Sequence, residues 1–452
     1  MGIVSLNILP SIAGNLLVDV AVMGALLITF MLTIQSAYTL YIMLYTWDQP
    51  QVFEKAKAPD RFLEPKKSFT VMLPARHEEE VIQETIERVV RANYPLHLLE
   101  VVVICSADDI GTIAEAQKKI DQLKREGIAN AHVLVFSDTP VNKPHGLNFG
   151  LKSTVNDIVT IFDAEDDIHP EIFNVVNTVM VQEDVHVVQC GVQLMNYDTN
   201  WYSTLNVLEY FFWFKSRLHY HAKQGSIPLG GNTVFFTRDV LERVGGWDDH
   251  NLTEDADIGI RISSAGERVR VVYDDRYVTQ EETPPTLGQF IRQRTRWSQG
   301  FLQTLKKGEW KQLPTFEQKL LGAYTLGFPF AQAVLGVYLV LSMVMAVTVK
   351  TPVLVAIFLT IPMYLLAAHF VLSVIGLYEF TSAHGLKPSW KAPLMMAISY
   401  LPYQWVLSYA AVRAVVREMK GINNWEKTKH VGALRQEPKT QQEDEEMVRT
   451  GA

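Results

Sequence analysis

The chain has 452 residues, of which 20% are charged and 48% are apolar, and its formal net charge is -8 at pH 7. A negative chain without a broad basic excess cannot neutralise many phosphates, so nucleic-acid-binding classes are excluded and no nucleic-acid partner is expected. The length corresponds to about two to three domain-sized units. Charged residues are concentrated in the centre of the chain, and the long flanking runs are almost free of charge, which is typical of a polar domain between membrane segments.

The first apolar run extends from Leu16 to about Tyr45, which is long enough to cross a hydrocarbon core of about 20 residues. No basic residue precedes this run, whereas Lys and Arg are frequent between positions 55 and 67. Because positive residues mark the cytoplasmic side, we expect residues 1–48 to form an uncleaved transmembrane anchor and residues 49–314 to form a cytoplasmic domain.

Between about Ser68 and Arg276, short apolar runs alternate with stretches whose apolar residues have helical spacing. This alternation predicts an α/β domain around a mostly parallel sheet, in which ligands bind at the carboxyl ends of the strands. Cys105 and Cys190 fall in strand-like runs, so both are predicted to be buried rather than paired or bound to zinc. The predicted strands cover residues 69–74, 99–105, 133–137 and 158–162, and the predicted helices cover residues 79–92 and 112–126.

Acidic residues directly follow two of these predicted strands. Asp108 and Asp109 follow one strand, and Asp163, Glu165 and Asp166 follow another. Clustered carboxylates suit a hard divalent cation such as Mg2+, which usually takes one or two of them together with substrate phosphates. The alternative interpretation is a solvated acidic turn in which Asp166 or its neighbour caps the next helix.

Thr253, Glu254 and Asp255 form a third polar group. Thr253 is a good helix cap, and acidic residues suit a first helical turn, so a purely structural role is one interpretation. A carboxylate that is held at a helix start and faces a bound donor is also well placed to act as a general base. Lys143, His145 and Asn148 form a further polar group. It is either part of the functional site or simply a turn and the start of a helix.

Gln293, Arg296 and Trp297 are three and four residues apart and therefore share one face of a predicted helix. This face offers hydrogen bonds, a bidentate clamp for a phosphate and a flat ring for a sugar. A basic amphipathic helix lying on the membrane is the alternative interpretation, and the two roles are compatible.

Three further apolar runs cover about residues 326–349, 352–376 and 393–416. We expect residues 315–418 to form a C-terminal transmembrane region. Residues 419–452 are expected to form a polar cytoplasmic tail that is disordered at its end.

The charges around these runs conflict with three full crossings. The polar loop predicted from Glu379 to Lys391 and the start of the tail are both basic, which places both in the cytoplasm, whereas three crossings place the tail outside. Four membrane crossings in the whole chain are the leading hypothesis. The alternative is that the last run, which contains Pro402, forms a re-entrant or surface-lying segment, which would resolve the conflict. A tight hairpin is predicted at Lys350-Thr351.

In this order, the polar groups resemble those of family 2 glycosyltransferases, specifically the membrane-integrated branch that includes cellulose, chitin and hyaluronan synthases. The resemblance covers about residues 68–310 and the flanking membrane segments. Each piece alone is weak, whereas the ordered set is specific. The matching pieces are Leu73 to Glu79, Asp108-Asp109, Lys143 to Asn148, Asp163 to Asp166, Gly230 to Asn232, Thr253 to Asp255 and Gln293-x-x-Arg296-Trp297.

The resemblance implies a GT-A fold, that is, an α/β nucleotide-diphospho-sugar transferase domain, with flanking transmembrane helices and an inverting mechanism. It implies that Asp255 is the catalytic base, with Glu254 beside it, and that Asp163 and Glu165 hold Mg2+ or Mn2+. The residues that it assigns to the donor are Pro74, Arg76, Glu78, Asp108, Asp109, Lys143, Asp163, Gln293 and Arg296. The residues that it assigns to the acceptor are Gly231, Asn232 and Trp297.

Two positions depart from the family pattern. His77 stands where many members have asparagine, and Glu165 replaces the more usual second aspartate of the metal motif. Because a carboxylate remains at position 165, metal binding is still expected, with a longer reach.

The leading hypothesis is an enzyme that moves a sugar from a nucleotide-diphosphate sugar, a UDP-sugar, to a growing glycan, with or without export through its own membrane segments. One alternative is a single transfer to a polyprenyl phosphate or another lipid acceptor, and another is a non-catalytic membrane scaffold. The expected partners are the donor, a glycan or lipid-linked acceptor, membrane lipids and export proteins. The expected location is the cell (inner or plasma) membrane, as a multi-pass protein whose catalytic domain faces the cytoplasm.

Overall fold

The computed structural model describes residues 16–128, 130–348 and 352–424. Within these ranges, the polar middle of the chain forms a seven-stranded sheet and a two-stranded sheet. The strands are β1 (Phe69–Pro74), β2 (Leu99–Ser106), β3 (Ala131–Phe136), β4 (Ile158–Ile161), β5 (Val187–Cys190), β6 (Val192–Leu194), β7 (Val234–Thr237), β8 (Val269–Val272) and β9 (Thr279–Glu281).

The strand order in the large sheet is β3-β2-β1-β4-β7-β5-β8, and β6 pairs with β9 in the small sheet. Strand β7 is antiparallel to both of its neighbours, and the other pairs are parallel. The four predicted strands are present as β1 to β4, with ends that differ by at most two residues. The predicted α/β domain with a mostly parallel sheet is therefore confirmed.

Helices flank the strands and continue into the apolar ends of the chain. A π-helical turn, Trp213–Arg217, joins two of them. The helices are α1 (Leu16–Met43), α2 (Tyr45–Asp48), α3 (Pro50–Ala56), α4 (Ile82–Val90), α5 (Ile110–Arg125), α6 (Lys143–Leu151), α7 (Ile172–Glu183), α8 (Ser203–Phe212), α9 (Leu218–Gln224), α10 (Arg238–Val244), α11 (Glu254–Ser264), α12 (Leu287–Lys307), α13 (Phe316–Thr348), α14 (Val353–Ala383) and α15 (Ala392–Met419).

Strand β2 is apolar on both faces because the large sheet lies between two cores. Val101 and Val103 join the core formed with α4, α5 and α7. Val102 and Ile104 point the other way and join the core that includes α8 and the ends of α14 and α15. Side chains of a strand alternate between faces, so a run that is apolar at every position fits a sheet covered on both sides. Both cysteines are buried and free, as predicted.

Three helices are long and apolar enough to cross a membrane, judged by length and composition of the described residues. These spans are Val22–Met43, Phe316–Met345 and Val353–Ala383. The last predicted run forms α15, which is not among them. Helix α15 lies along α12, where the rings of Tyr403 and Phe290 are 5.6 Å apart and Lys306 Nζ is 2.9 Å from Glu418 Oε1.

Two membrane helices extend beyond the apolar runs seen in the sequence. Helix α13 begins at Phe316 rather than near residue 326, because its polar first turns pack against the domain, where Gln318 Nε2 donates to Gln224 O at 2.9 Å. Helix α14 continues to Ala383, so the loop expected from Glu379 begins only after that residue. Glu379 is held by buried Lys215 at 2.5 Å, which explains how helix persists through this polar position.

Three predictions concern residues outside the described ranges. These are the start of the N-terminal anchor, the hairpin at Lys350-Thr351 and the disordered end of the tail beyond residue 424.

Candidate active site

The acidic turn after β4 is built around the buried carboxylate of Asp166. The backbone N–H of Asp163 donates to Asp166 Oδ2 at 2.8 Å, and Asn232 Nδ2 donates to both Asp166 oxygens at 3.0 and 2.9 Å. Asn232 also contacts Glu281. Burial, followed by the charges of Glu281 and Asp163, raises the pKa of Asp166 well above its ordinary value. The turn is therefore built on one buried carboxyl group, with Asp163 and Glu165 half-buried beside it.

The antiparallel course of β7 brings Gly231 and Asn232 to this turn. Val234, the first residue of β7, lies opposite Ile161, the last residue of β4. The residues before β7 therefore meet the residues after β4 at the same edge of the sheet. This is the edge where ligands bind in open α/β sheets.

Lys143 supplies a positive charge to the same edge. It begins α6, whose start is capped by Asn142, and its Nζ donates to Asp163 Oδ1 at 2.5 Å and to Gly231 O at 3.1 Å. Burial opposes the charged form of Lys143, but the charges of Asp163 and Glu254 outweigh it and raise the pKa above its ordinary value. The lysine therefore stays protonated at neutral pH.

Glu254 and Asp255 form the first turn of α11. Glu254 is only 4% exposed and Asp255 is half-buried, and both line the cavity described below. The backbone N–H of Ala256 donates to Asp255 Oδ1 at 2.7 Å and fixes the carboxylate. A Cβ on Gly231 would lie 3.0 Å from Asp255 Oδ2, so the glycine keeps the space beside this oxygen open.

Burial raises the pKa of both carboxyl groups. For Asp255 only the direction is resolved, and for Glu254 burial and the neighbouring Asp255 raise the pKa to about 7. A carboxyl group with a pKa near the working pH is typical of functional acids and bases.

The raised pKa of Glu254 predicts a pH dependence of folding stability. A carboxyl group that binds its proton more tightly when folded stabilises the chain fully below its unfolded pKa of about 4.5 and loses this contribution as the pH rises through about 7. We expect the thermal unfolding temperature to decrease as the pH is raised from about 4.5 to about 8. The decrease should be smaller in Glu254→Gln. The exposed Glu242→Gln is the matched control and should follow the native curve. Parallel curves for native protein and Glu254→Gln would contradict the assignment.

A close approach between α12 and α11 was not foreseen from the sequence. A Cβ on Gly300 would lie 2.3 Å from Thr253 Oγ1 and 2.5 Å from Thr253 N, so only glycine permits this contact. Leu252 N donates to Gln303 Oε1 at 3.0 Å, and Asn251 Nδ2 donates to Thr304 Oγ1 at 2.8 Å. One face of α12 therefore positions the segment that leads into Asp255. The signal in the sequence was a glycine inside a helical pattern.

The face of α12 with Gln293, Arg296 and Trp297 lines the same cavity. Arg294 supports this face from behind. Its guanidinium is 2.5 Å from Glu209 Oε2 and 4.7 Å from the ring centroid of Trp297, which also lies 6.2 Å from the Tyr210 ring. Trp297 is therefore held in place by its neighbours, a support that the sequence did not reveal.

A cavity of about 770 Å³ connects these groups and continues between the apolar helices. Among its polar walls at the level of those helices are Thr39, Tyr324, Gln332, His369 and Gln404. The predicted site residues that line it are Pro74, Arg76, Glu78, Lys143, Asp163, Glu165, Gly231, Asn232, Glu254, Asp255, Gln293, Arg296 and Trp297.

Asp108 and Asp109 lie outside the residues that line this cavity. Asp108 is exposed and lies 3.4 Å from Arg76, and its pKa is lowered by a hydrogen bond with Ser106 and then by the charge of Arg76. Asp109 is 2% exposed, caps α5 through Thr112 N at 3.3 Å and accepts from His77 N at 2.7 Å. Its carboxylate therefore supports the turn after β1, where His77 has a φ of 55°.

Asp163 and Glu165 line the cavity and are the carboxylates there that could hold a metal ion together with ligands from a substrate. The described residues contain two clusters of three side chains whose possible metal-ligating atoms lie within 4.8 Å of one another. One cluster is around Asp109 and the other is around Asp249, and neither includes Asp163 or Glu165. Mg2+ commonly binds one or two carboxylates and completes its shell with phosphates and water. Burial, and then the charges of Glu281, Asp163 and Glu165, raise the pKa of Asp166, and this concentration of acidic groups also favours an added cation.

Residues 65–300 match the model of the family described as Glycosyltransferase like family 2. The match covers just over half of the chain, and the chain belongs to this family. It is a glycosyltransferase with a GT-A fold, as the order of its polar groups predicted.

Several curated proteins are similar to the chain. The probable glycosyltransferase YdaM of Bacillus subtilis is 29% identical over 243 residues, which are 51% of this chain and 54% of that protein. The poly-beta-1,6-N-acetyl-D-glucosamine synthase of Staphylococcus epidermidis is 23% identical over 370 residues, which are 78% of this chain and 85% of that protein. The beta-monoglucosyldiacylglycerol synthase of a Nostoc species is 27% identical over 51% of this chain and 48% of that protein. The chain thus spans about half the length of the first and third of these relatives.

Among solved structures, the mannosyltransferase PcManGT from Pyrobaculum calidifontis, in complex with GDP-Man and Mn2+, superposes with a TM-score of 0.55. The sequences are 20% identical, and the match covers 87% of this chain and 99% of that one. At this identity the likeness establishes the fold.

Proposed function

We propose that this enzyme moves a sugar from a nucleotide-diphosphate sugar, a UDP-sugar, to a growing glycan, with inversion at the anomeric carbon. The observation that carries the proposal is the single cavity that joins the acidic edge of the sheet to the space between the apolar helices. An acceptor that grows at Asp255 has a continuous path into the membrane region, which supports export coupled to synthesis. The inverting course is inferred from the family resemblance.

The polar walls of the membrane part of the cavity favour a sugar chain. Gln332 Nε2 donates to Gln404 Oε1 at 2.6 Å, and the hydroxyls of Thr39 and Tyr324 are 2.6 Å apart. Polar side chains are costly within a membrane unless they face protein or a hydrated space. Hydroxyl-rich saccharides can exchange hydrogen bonds with such walls. The polysaccharide synthase from Staphylococcus epidermidis, which matches 78% of this chain, also supports a glycan product.

A single transfer to a lipid acceptor is the second candidate. Phe328, Leu335, Leu366 and Leu407 line other parts of the same cavity and could accommodate an apolar tail. The similarity to a beta-monoglucosyldiacylglycerol synthase supports this alternative.

The roles proposed for the residues are consistent with their places in the cavity lining. Lys143, Arg296 and Asp255 line the cavity. Lys143 and Arg296 are proposed to be the cations beside the leaving diphosphate, and Asp255 is proposed to accept the proton of the attacking acceptor hydroxyl. Trp297 offers a flat ring to the acceptor sugar. Pro74, Arg76 and Glu78 line the end next to β1 and are proposed to contact the nucleotide.

Asp163 and Glu165 are proposed to hold Mg2+ or Mn2+ in the complex with donor. Such an ion neutralises developing charge on the leaving diphosphate. The neighbouring mannosyltransferase structure contains GDP-Man and Mn2+, which supports a nucleotide sugar and a divalent ion here.

A multi-pass protein of the cell membrane whose domain lies in the cytoplasm is consistent with three crossings and with an α15 that does not cross but packs against both α13 and the polar domain. Arg417 Nε donates to Gln299 Oε1 at 3.0 Å, and Gln299 Nε2 donates to Ile422 O at 2.9 Å. The end of α15 therefore lies on the polar domain, and the basic residues that follow it would share the cytoplasmic side with the domain.

A donor screen tests the proposed function. The full chain, purified and returned to lipid, should release nucleoside diphosphate from one UDP-sugar when an acceptor glycan is supplied. The same assay with a polyprenyl phosphate in place of the glycan separates the two candidates. Absence of release from every nucleotide sugar would overturn the proposal.

Removal of divalent cations should abolish turnover. With excess chelator we expect activity to fall at least tenfold, and added Mg2+ or Mn2+ to restore it, because the diphosphate charge is left uncompensated. Asp163→Asn should require more metal for half-maximal rate. Full activity in chelator would contradict the proposed metal role.

A further inference from the structure

Arg217 is a half-buried arginine for which the described residues supply no counterion. It ends the π-helical turn between α8 and α9 and lines the cavity at the level of the apolar helices. Its Nε is buried without a hydrogen-bond partner, and no carboxylate of the described chain lies within 4.0 Å of its guanidinium. The contact that it makes is with the ring of Phe328, 6.0 Å from Cζ.

The nearest acidic group is committed to other partners. The charge of Glu209 acts on Arg217, but a carboxylate oxygen of Glu209 lies 2.5 Å from Arg294. Glu209 also shares a hydrogen bond with Tyr403. An ion pair between Glu209 and Arg217 would therefore compete with the ion pair between Glu209 and Arg294, which holds Arg294 over the ring of Trp297.

Three polar side chains that line the cavity near Arg217 have partners within the protein. Tyr324 contacts Thr39 at 2.6 Å, Tyr400 donates to Leu366 O at 3.4 Å, and His369 Nδ1 lies 3.0 Å from Leu365 O. None of these three side chains hydrogen-bonds to Arg217 in the described structure.

A guanidinium that loses part of its hydration and gains no opposite charge is destabilised, and a bound anion would offset this cost. Burial alone lowers the pKa of Arg217, yet a guanidinium remains protonated in proteins. Its planar fork fits the oxygens of a phosphate through two parallel hydrogen bonds. The apolar walls formed by Phe328, Leu335 and Leu366 lie in the same cavity and fit a hydrocarbon chain.

We propose that Arg217 binds the phosphate of an amphiphilic phosphate ester whose apolar chain lies between the membrane helices. The ester is either the lipid phosphate that carries the acceptor or a phospholipid of the bilayer. The inference rests on the proposed function only in naming this cavity as the acceptor path, and the binding itself requires no sugar transfer.

Binding of farnesyl phosphate and of farnesol to the full chain tests the site. The protein is purified in dodecyl maltoside, which contains no phosphate, and binding is followed by intrinsic tryptophan fluorescence. We expect the phosphate to bind about tenfold to a hundredfold more tightly than the alcohol, the range for hydrogen bonds to charged groups. Arg217→Gln should remove this preference, and Arg217→Lys should retain part of it.

Lys223→Gln is the matched control. Lys223 lies in α9, directly after the π-helical turn that contains Arg217, but it is exposed and does not line the cavity. It should keep the native preference. Phosphatidylglycerol is titrated in parallel: competition that depends on Arg217 assigns the site to bilayer lipid, and indifference to it assigns the site to the acceptor carrier. Equal binding of phosphate and alcohol by the native chain, or a preference that survives in folded Arg217→Gln, would overturn the proposal.

Donor binding separates this inference from the proposed function. UDP-sugar binding by Arg217→Gln should match the native protein, because Arg217 is not among the residues proposed to contact the donor. If the native protein and its variants all fail to turn over nucleotide sugars but the native protein still prefers farnesyl phosphate to farnesol, the proposed function is refuted and the lipid-phosphate site is supported.

Discussion

Asp255→Asn should fold and bind donor almost as the native protein does, yet transfer sugar about a hundred-fold to ten-thousand-fold more slowly. The amide oxygen of asparagine can still accept the hydrogen bond from Ala256 N, which is 2.7 Å from Asp255 Oδ1 in the native chain. What asparagine cannot do is take the proton of the acceptor hydroxyl. The measurement is the rate of nucleoside diphosphate release per folded molecule, with donor affinity determined in parallel.

Asp257→Asn provides the matched contrast from the same helix turn. Asp257 is fully buried and pairs with Arg261 at 2.9 Å and with Lys307 at 3.0 Å, so its replacement should lower stability. Its activity per folded molecule should change little. A near-native rate in Asp255→Asn would remove Asp255 as the base, and Glu254→Gln would then be the next variant to test.

Gly300→Ala should reduce turnover strongly although residue 300 does not line the cavity. The added Cβ would lie 2.5 Å from the backbone nitrogen of Thr253, which is too close for any rotation to relieve. Overpacking of this kind costs about 1–3 kcal/mol of stability. A displacement of about 1 Å at a catalytic group can cost about a hundred-fold in rate. We expect kcat to fall by about that factor, with a smaller change in donor affinity.

Gly288→Ala in the same helix is the control, because a Cβ there would meet only Arg292, at 3.8 Å. Alanine is the better helix former by about 1 kcal/mol, so this variant should keep its activity and its stability. If Gly300→Ala and Gly288→Ala are equally active, the contact between α12 and α11 does not position Asp255.

The first four strands and the acidic groups at their ends were accessible from the sequence, because a strand leaves a local pattern of apolar residues ending in polar ones. Asp163 after β4 is an example. The place of Gly231 beside Asp255 was not accessible by pattern alone, because it depends on β7 running antiparallel between β4 and β5. That pairing is a long-range property with no local signature.

Asp109 illustrates a second limit. An acidic residue after a strand can face a ligand or turn back to cap the following helix, and the composition is the same in both cases. Here its oxygens accept from His77 N and Thr112 N. Gly300 illustrates a third limit, since a glycine in a helix becomes informative only when the neighbouring backbone is known.

The core on one face of the large sheet is shared with the ends of the membrane helices. Leu377 and Phe380 of α14 and Tyr403 of α15 are buried in the same cluster as Val102 and Ile104 of β2. Excision of residues 49–314 would therefore strip apolar cover from the sheet and expose it to water, where it would favour aggregation. The polar domain is therefore not expected to fold stably without the membrane helices. A detergent that separates the helices should also destabilise the sheet, because both share this core.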